Sequence, residues 1–595
     1  MIEMPYKGNH GNLANRGGEE MTQISVFTTP DIFYKDMNTD FANFRDMLNQ
    51  LSCSDAMFWC ARINLALNAT GNMEAQAPLF SMLTTNRERY WLQKALRKNR
   101  RKGTTFTIFF RGQMLELIRW IALLCDDHPD DGTTFDSEDT KITFFKCALI
   151  ASNMWDRHTF GTALHYEVDT HRIRQYMVAS FRKSIEASRA APDLDITIGR
   201  GWIFYQKYFL KYYSSFNNDF LSITGLSFED YMVCFSAIAL HFTDPLRKPC
   251  IINANTIGET TLIPDKLKAY IRLESQTIEE LRKRLWNGKG REEINDDTAG
   301  PMDTIPLRDK PIYTASDGRS IVLDAIYFHE SVLVSPMFLM IQLKRKSANQ
   351  IFSAFGDAFE DYCCDILDRM YSDKAEYTFR QQKSYQQQGR NLEIDAALLQ
   401  NKTAILFEIK ASFIRESEVS PDGISFEEEL RKKYSNVVEG GQERIKGVGQ
   451  LSRTIKHIVT RSIDSLNQDF QEINEIFPVL LVHDTLLDAP LTIDLLQKEF
   501  IQVIESDLGY ELKKCPIKIH ALTIMTISNL ELLEGSVQHF NIINMFRDKS
   551  REDPVSLHDF VAYSSRYGFY RNTFLVNASL DILEMTRKQL FNQAE

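Results

Sequence analysis

Residues 392–411, Leu-Glu-Ile-Asp-Ala-Ala-Leu-Leu-Gln-Asn-Lys-Thr-Ala-Ile-Leu-Phe-Glu-Ile-Lys-Ala, restrict what this chain can fold into more than any other stretch. Two apolar runs flank a polar Asn401-Lys402, the pattern of an antiparallel hairpin with a two-residue turn. In a symmetric hairpin turning there, positions whose numbers sum to 803 lie opposite one another. Asp395 then faces Glu408, and Glu393 faces Lys410. Side chains alternate along a strand, so these four charges share one face, while Leu392, Ile394, Ile405, Phe407 and Ile409 share the other.

Three carboxylates and a lysine on strands this apolar are costly, because carboxylates held close repel and burial disfavours their charged forms. A divalent cation removes the conflict. Asp395 and Glu408, with the backbone carbonyl of Ile409, offer the hard oxygen donors of a Mg²⁺ site, an ion that takes one or two carboxylates beside water and phosphate. Lys410 is placed to orient or deprotonate an attacking water and to balance charge developing on a phosphate. Asp139-Thr-Lys141 and Glu511-Leu-Lys513 repeat the acidic-x-Lys triplet, but neither follows an apolar strand with an acidic residue in register on its partner. The competing reading is an ion-pair ladder on a two-stranded edge, which cross-strand charges also form.

Asp395, followed after twelve residues by Glu408-x-Lys410 on the adjacent strand, resembles the PD-(D/E)XK nuclease superfamily, the restriction-endonuclease-like fold. The resemblance spans about residues 346–532. It includes Glu360, in Gly356-Asp-Ala-Phe-Glu360 on the amphipathic helix ahead of the strands. It also includes Gln450, which with Gln442 and Lys446 recurs at i, i+4 and i+8 on an expected helix within 428–460. Ile394 stands where many members have proline, and Thr454 where a tyrosine would complete the exonuclease-type glutamine motif. The resemblance implies Mg²⁺ or Mn²⁺ held by Asp395, Glu408 and Glu360, Lys410 handling the nucleophile and Gln450 positioning phosphate. Glu393, Gln442, Lys446 and Arg453 are the expected nucleic-acid contacts. DNA is the expected substrate of an endonuclease, with RNA open. Domains of this kind joined to large helical regions serve restriction, repair or antiviral defence, which implies a homo-oligomer or a partner defence protein. A non-catalytic nucleic-acid-binding or assembly protein on a nuclease-like scaffold is the rival expectation.

Around this segment the chain of 595 residues is long enough for several cores. The expected fold class is multidomain, α and α/β: a helix-rich N-terminal domain and a C-terminal restriction-endonuclease-like domain with a central mixed sheet. Residues 1–30 read as a flexible leader without a secretion signal. In 31–286, apolar spacings of three and four predict helices in 41–67, 113–125, 173–185 and 231–240. The polar, glycine-containing 287–305 reads as a linker, and 306–345 as a connecting β segment with a turn at Asp317-Gly318. The nuclease-like domain occupies 346–535, with strands in 377–380, 392–399, 404–411, 478–483 and 517–524 and helices in 352–370 and 491–504. A helical extension follows over 536–595.

A net charge of −11 and nine scattered cysteines without C-x-x-C predict a cytoplasmic protein with reduced thiols, whose nucleic-acid contact is local. No stretch is apolar enough to span a bilayer. Asp126 to Asp139 resembles a calcium loop, but Pro129 occupies its third position. His158, His165 and His171 lack metal-ligand spacing, and Asn287-Gly-Lys-Gly-Arg291 lacks the spacing of a phosphate loop. Trp202, Tyr205, Tyr208, Phe209, Tyr212 and Phe216 form an aromatic stripe interleaved with Lys207 and Lys211, read as a buried face with snorkelling lysines. The basic run Lys94 to Lys102 suits a solvated helix end or a phosphate backbone equally.

Overall fold

The computed structural model describes residues 24–70, 72–99, 104–125, 137–160, 193–241, 251–252, 264–286, 291–295, 304–343, 348–387, 390–413, 424–439, 442–552 and 570–591. The expected helix in 173–185, His165, His171 and most of the acidic loop lie outside them.

The protein is multidomain α and α/β, with mixed sheets of four and six strands. In chain order the strands are β1 (Ile24–Phe27), β2 (Thr104–Thr107), β3 (Ile251–Ile252), β4 (Ser275–Gln276), β5 (Ile312–Thr314), β6 (Ser320–Val322), β7 (Thr378–Gln387), β8 (Arg390–Gln400), β9 (Thr403–Lys410), β10 (Val437–Glu439), β11 (Gln442–Arg444), β12 (Glu475–Val482), β13 (Lys518–Ile519) and β14 (Thr523–Thr526). The small sheet runs β3-β6-β5-β4, and the large one β13-β12-β9-β8-β7 with β14 also beside β12. β7, β8 and β9 are antiparallel neighbours; β12 is parallel to β9, β13 and β14. The strand expected in 517–524 is therefore two short pieces along one edge of β12.

The first core belongs to N-terminal helices, with Arg111–Leu124 buried along its whole length. That helix can carry charge inside because each charge has a partner. Arg111 makes a two-point ion pair with Asp324, at 2.7 and 2.9 Å, and Glu116 Oε1 accepts from Trp120 at 2.7 Å and from Arg119 at 3.3 Å. A second core covers one face of the large sheet. It joins Ala325–Leu343 and Ala348–Tyr371 to the helices Leu194–Ile203, Phe228–His241 and Thr573–Phe591, so packing runs across residues 287–305. A third core covers the other face with Ile424–Tyr434, Val448–Thr460 and Pro490–Leu508. β9 and β12 are consequently buried on both faces, which is why they read as continuous apolar runs.

The helices Leu194–Ile203 and Thr573–Phe591 meet at Gly199, where an added Cβ would lie 2.0 Å from the Leu575 carbonyl oxygen. Among the described residues no single helix is long and apolar enough to cross a membrane; the apolar pair Phe216–Thr224 and Phe228–His241 bends by 62°.

Two expectations need correcting. The single helix in 428–460 is two helices, Ile424–Tyr434 and Val448–Thr460, separated by the β10/β11 hairpin. Gly447 at φ +49 starts the second, where a side chain would strike the Tyr434 carbonyl oxygen at 2.6 Å. In 306–345 the expected hairpin turns at Gly318, φ +84, but Ala325–Leu343 is a long helix and not β structure.

Candidate active site

The hairpin adopts the register read from the sequence: Ala396 opposes Phe407 and Gln400 opposes Thr403 across Asn401-Lys402. Beyond Ala396 the two strands part. Asp395 Oδ2 accepts the Ile409 backbone N–H at 2.8 Å, in the place where a ladder carbonyl would serve. On the other side of β8, the β7 ladder pairs Gln381 with Ala396 and Lys383 with Ile394 but skips Gln382, which sits at φ +44. A left-handed residue turns a strand over. Tyr385, Leu392 and Ile394 accordingly pack in the core opposite to the one that holds Ile405, Phe407 and Ile409, and the single apolar face expected for the five hairpin residues is split.

Glu393 is affected by the same kink. It is exposed and pairs with Ser384 on β7, and on its other side the β8–β9 ladder ends at Ala396, so no Glu393–Lys410 pair forms in the sheet.

What remains together is Asp395, Glu408 and Lys410, joined by Glu360 from the helix Ala348–Tyr371. Asp395 and Glu408 are 5% and 3% exposed. Lys410 Nζ stands 2.5 Å from Glu408 Oε1 and 3.6 Å from Asp395 Oδ2. Burial pushes Glu408 up to about 8, with Lys410 pulling against the rise and Asp395 adding to it. Burial and then the charge of Asp395 push Glu360 up to about 7. For Lys410, burial opposes the ammonium, but the facing Glu408 and Asp395 outweigh it and hold the lysine above its ordinary value.

Two groups support this cluster from behind. The His483 N–H donates to the Lys410 carbonyl at 3.2 Å, and its ring is boxed by Phe355, Phe359 and Phe413. Burial there takes the imidazole down to about 4, so it is neutral. Gln382, which no sequence pattern marks, donates through Nε2 to Glu360 Oε1 at 3.3 Å and to Asp361 Oδ1 at 2.8 Å. Asp361 Oδ2 accepts in turn from Tyr212 at 2.8 Å and from Lys211 at 2.5 Å. The aromatic stripe is thus a buried face packed on the helix of Glu360, partly in a π-helical turn, Phe204–Phe209. Its lysines are spent on that helix, Lys211 on Asp361 and Lys207 on Asp365.

The other expected contacts are dispersed. Gln442 lies on β11, off the helix of Gln450. Lys446 donates to the Lys432 carbonyl at 2.9 Å, near the end of the helix Ile424–Tyr434. Gln450 Oε1 accepts the Gly447 N–H at 3.0 Å, capping its own helix, and Arg453 is half-buried three residues further on. The i, i+4, i+8 face does not exist, because the helix that carries Gln450 begins only after Gly447, leaving Gln442 on β11 and Lys446 ahead of the helix. The decoy Lys513 and Glu511 form a solvent-exposed pair at 2.6 Å.

Among the described residues no three His, Cys, Asp or Glu side chains stand ready to hold an ion by themselves. The donor chemistry nevertheless suits a hard cation bound through two carboxylates and water. Glu408 Oε1 is buried, and the donor that faces it is the Lys410 ammonium, which is shared with Asp395. Comparison with protein-family models, with curated proteins and with solved structures finds no match for this chain.

Proposed function

We propose that the protein is a metal-dependent nuclease whose residues 346–535 form a restriction-endonuclease-like domain hydrolysing phosphodiester bonds. The observation that carries the reading is the convergence of Glu360, Asp395, Glu408 and Lys410 where β8 and β9 part, with two of the carboxylates raised toward neutral pH by burial. Carboxylates in this state bind a divalent cation at a gain, since charge brought in offsets charge buried. Asp395 and Glu408 would hold Mg²⁺ or Mn²⁺ with Glu360 beside them, and the cation would lower the pKa of water and neutralise phosphate charge. Asp395 is fixed by the Ile409 N–H, which leaves its second oxygen for a ligand. Lys410 keeps its proton, orients the attacking water by donating to it, and stabilises negative charge on the phosphate.

DNA is the proposed substrate, in restriction or antiviral defence, and the proposed location is the cytoplasm. The close Lys410 to Glu408 contact favours one other reading, a structural ion pair on a non-catalytic nucleic-acid-binding scaffold. The deciding experiment is cleavage of circular and linear DNA, and of RNA, with Mg²⁺, Mn²⁺ or chelator. Metal-dependent loss of closed circles supports an endonuclease. Intact substrates in every arm, from folded protein, refute the proposal.

A further inference from the structure

The chain carries a net charge of −11, yet residues 86–102 hold eight Lys and Arg against one carboxylate, Glu88. The described part of this run is the helix Asn86–Asn99. Its buried side is anchored: Trp91 and Leu92 pack on the N-terminal core, and Glu88 accepts from Thr85 and from Tyr34. On the opposite side Arg87, Tyr90, Lys94 and Arg97 follow at spacings of three, four and three, one stripe about 15 Å long at the helical rise. All four are exposed, Tyr90 at 60%.

Several cations on other helices of this chain are tied to a carboxylate one turn away, as Arg431 is to Glu427, Lys432 to Glu429 and Lys498 to Asp494. Arg87, Lys94 and Arg97 have no such partner among the described residues. Arg87 lies over the Tyr34 ring at 5.8 Å and Lys94 over Trp91 at 4.6 Å, so both are held without being neutralised. Lys146, from the helix Glu138–Phe160, approaches the same Tyr34 ring at 5.2 Å and adds a fourth cation. Like charges one turn apart destabilise a helix, and among the described residues no carboxylate pairs with Arg87, Lys94 or Arg97 to offset that.

We propose that this stripe grips a single-stranded stretch of nucleic acid, its cations taking successive phosphates and Tyr90 stacking on a base. A row of cations matches a polyanion of regular repeat. An exposed ring among them matches a base freed from pairing, and Trp91, edge-to-face with Tyr90 at 5.6 Å, holds that ring in one orientation. An anionic membrane fits less well, because Leu96 is the only other large apolar side chain the described helix exposes and no apolar face is left to enter a bilayer. The inference rests on the nuclease reading only for the purpose of the grip.

The test uses the full chain with chelator, so that no cleavage intervenes. Labelled single-stranded oligonucleotide, a duplex of the same sequence and phosphatidylserine vesicles are titrated across a range of salt. The single strand should bind best. Each of Arg87→Ala, Lys94→Ala and Arg97→Ala should reduce the steepness of log K against log salt by about 0.7, and the triple variant by about 2. Tyr90→Ala should weaken binding between about fivefold and a hundredfold without changing that slope, and Tyr90→Phe should restore it. All four side chains are on the surface, and an unchanged far-ultraviolet spectrum would confirm folded variants. Wild-type affinity and slope in the triple variant, or tighter binding to duplex or vesicles than to single strand, would overturn the proposal. A chain that binds through the stripe but never cleaves with metal sinks the nuclease reading alone; one that cleaves while the triple variant binds normally sinks the stripe alone.

Discussion

Glu475, half-buried, and Glu408, buried, are glutamates at opposite ends of the same pair of strands, Glu475 opposite Thr403 and Glu408 opposite Leu480. Glu475 is saturated. Thr403 donates to it at 3.0 Å, the His520 ring lies at 2.9 Å, and Arg547 donates at 2.9 and 2.6 Å. Burial alone would raise its pKa, but the hydrogen bonds from Arg547, His520 and Thr403 outweigh that and take it down to about 2. Among the described residues Glu408 faces the Lys410 ammonium, which it shares with Asp395, and burial takes it up to about 8. The deeper of the two glutamates has the fewer donors, and on the nuclease reading Glu475 holds the sheet together while Glu408 is the carboxylate available to a cation. Glu408 lies at the carboxyl end of parallel strands, where ligands of such sheets collect.

The contrast can be broken most sharply at its functional end. Asp395→Ala and Glu408→Ala should each abolish cleavage without lowering the melting temperature in chelator, because removing one of several crowded carboxylates relieves repulsion. Lys410→Ala should lower turnover by about a hundredfold or more with nucleic-acid affinity little changed, and Lys410→Arg should not rescue it. Wild-type turnover in Lys410→Ala would assign the cluster to the ion-pair ladder.

At the other end the signs reverse. Glu475→Gln should cost about 1–2 kcal/mol in denaturant unfolding, since it leaves the part-exposed Arg547 facing a neutral amide, while the specific activity of the folded fraction stays at the wild-type level. The pH dependence follows the same logic. With a folded value near 2 against about 4.3 unfolded, the unfolded chain binds more protons between those values, so stability is full above about 4.3 and is lost as the pH falls toward 2. Arg547→Ala should flatten this acid limb in melts taken from pH 6 to pH 2, and an unchanged limb would mean that Glu475 is not the group titrating.

The smallest effect is expected between the two. Gln382→Gly removes the left-handed strain at φ +44 and should raise stability by up to about 1 kcal/mol. It also removes the amide that holds Glu360, and should lower turnover more than it raises KM. A variant equal to wild type in turnover would make Gln382 a strand kink and nothing more.

The register of the hairpin was legible because only one pairing puts its charges together, and the Ala396 to Phe407 pair lies where that arithmetic puts it. The helix carrying Glu360 was legible from its apolar spacing, and runs from Ala348 to Tyr371. The kink was not, because alternation assumes an unbroken strand and glutamine has no preference for the left-handed region that would betray Gln382. The face shared by Gln442, Lys446 and Gln450 failed for the reverse reason. A period of four was counted through glycines that a helix seldom tolerates, and Gly440, Gly441 and Gly447 were the better signal. Asp361, Lys211 and Tyr212 could be found only once two distant segments were brought together.

The contact of Gly199 with Leu575 sets an order of events during synthesis. The helix Leu194–Ile203 emerges from the ribosome long before its partner Thr573–Phe591, and the core covering the face of the sheet behind Ile405, Phe407 and Ile409 needs both. Nascent chains that already contain Lys410 therefore lack the finished support of the candidate site until the partner helix has been made. On the nuclease reading, the candidate site would be completed only near the end of translation.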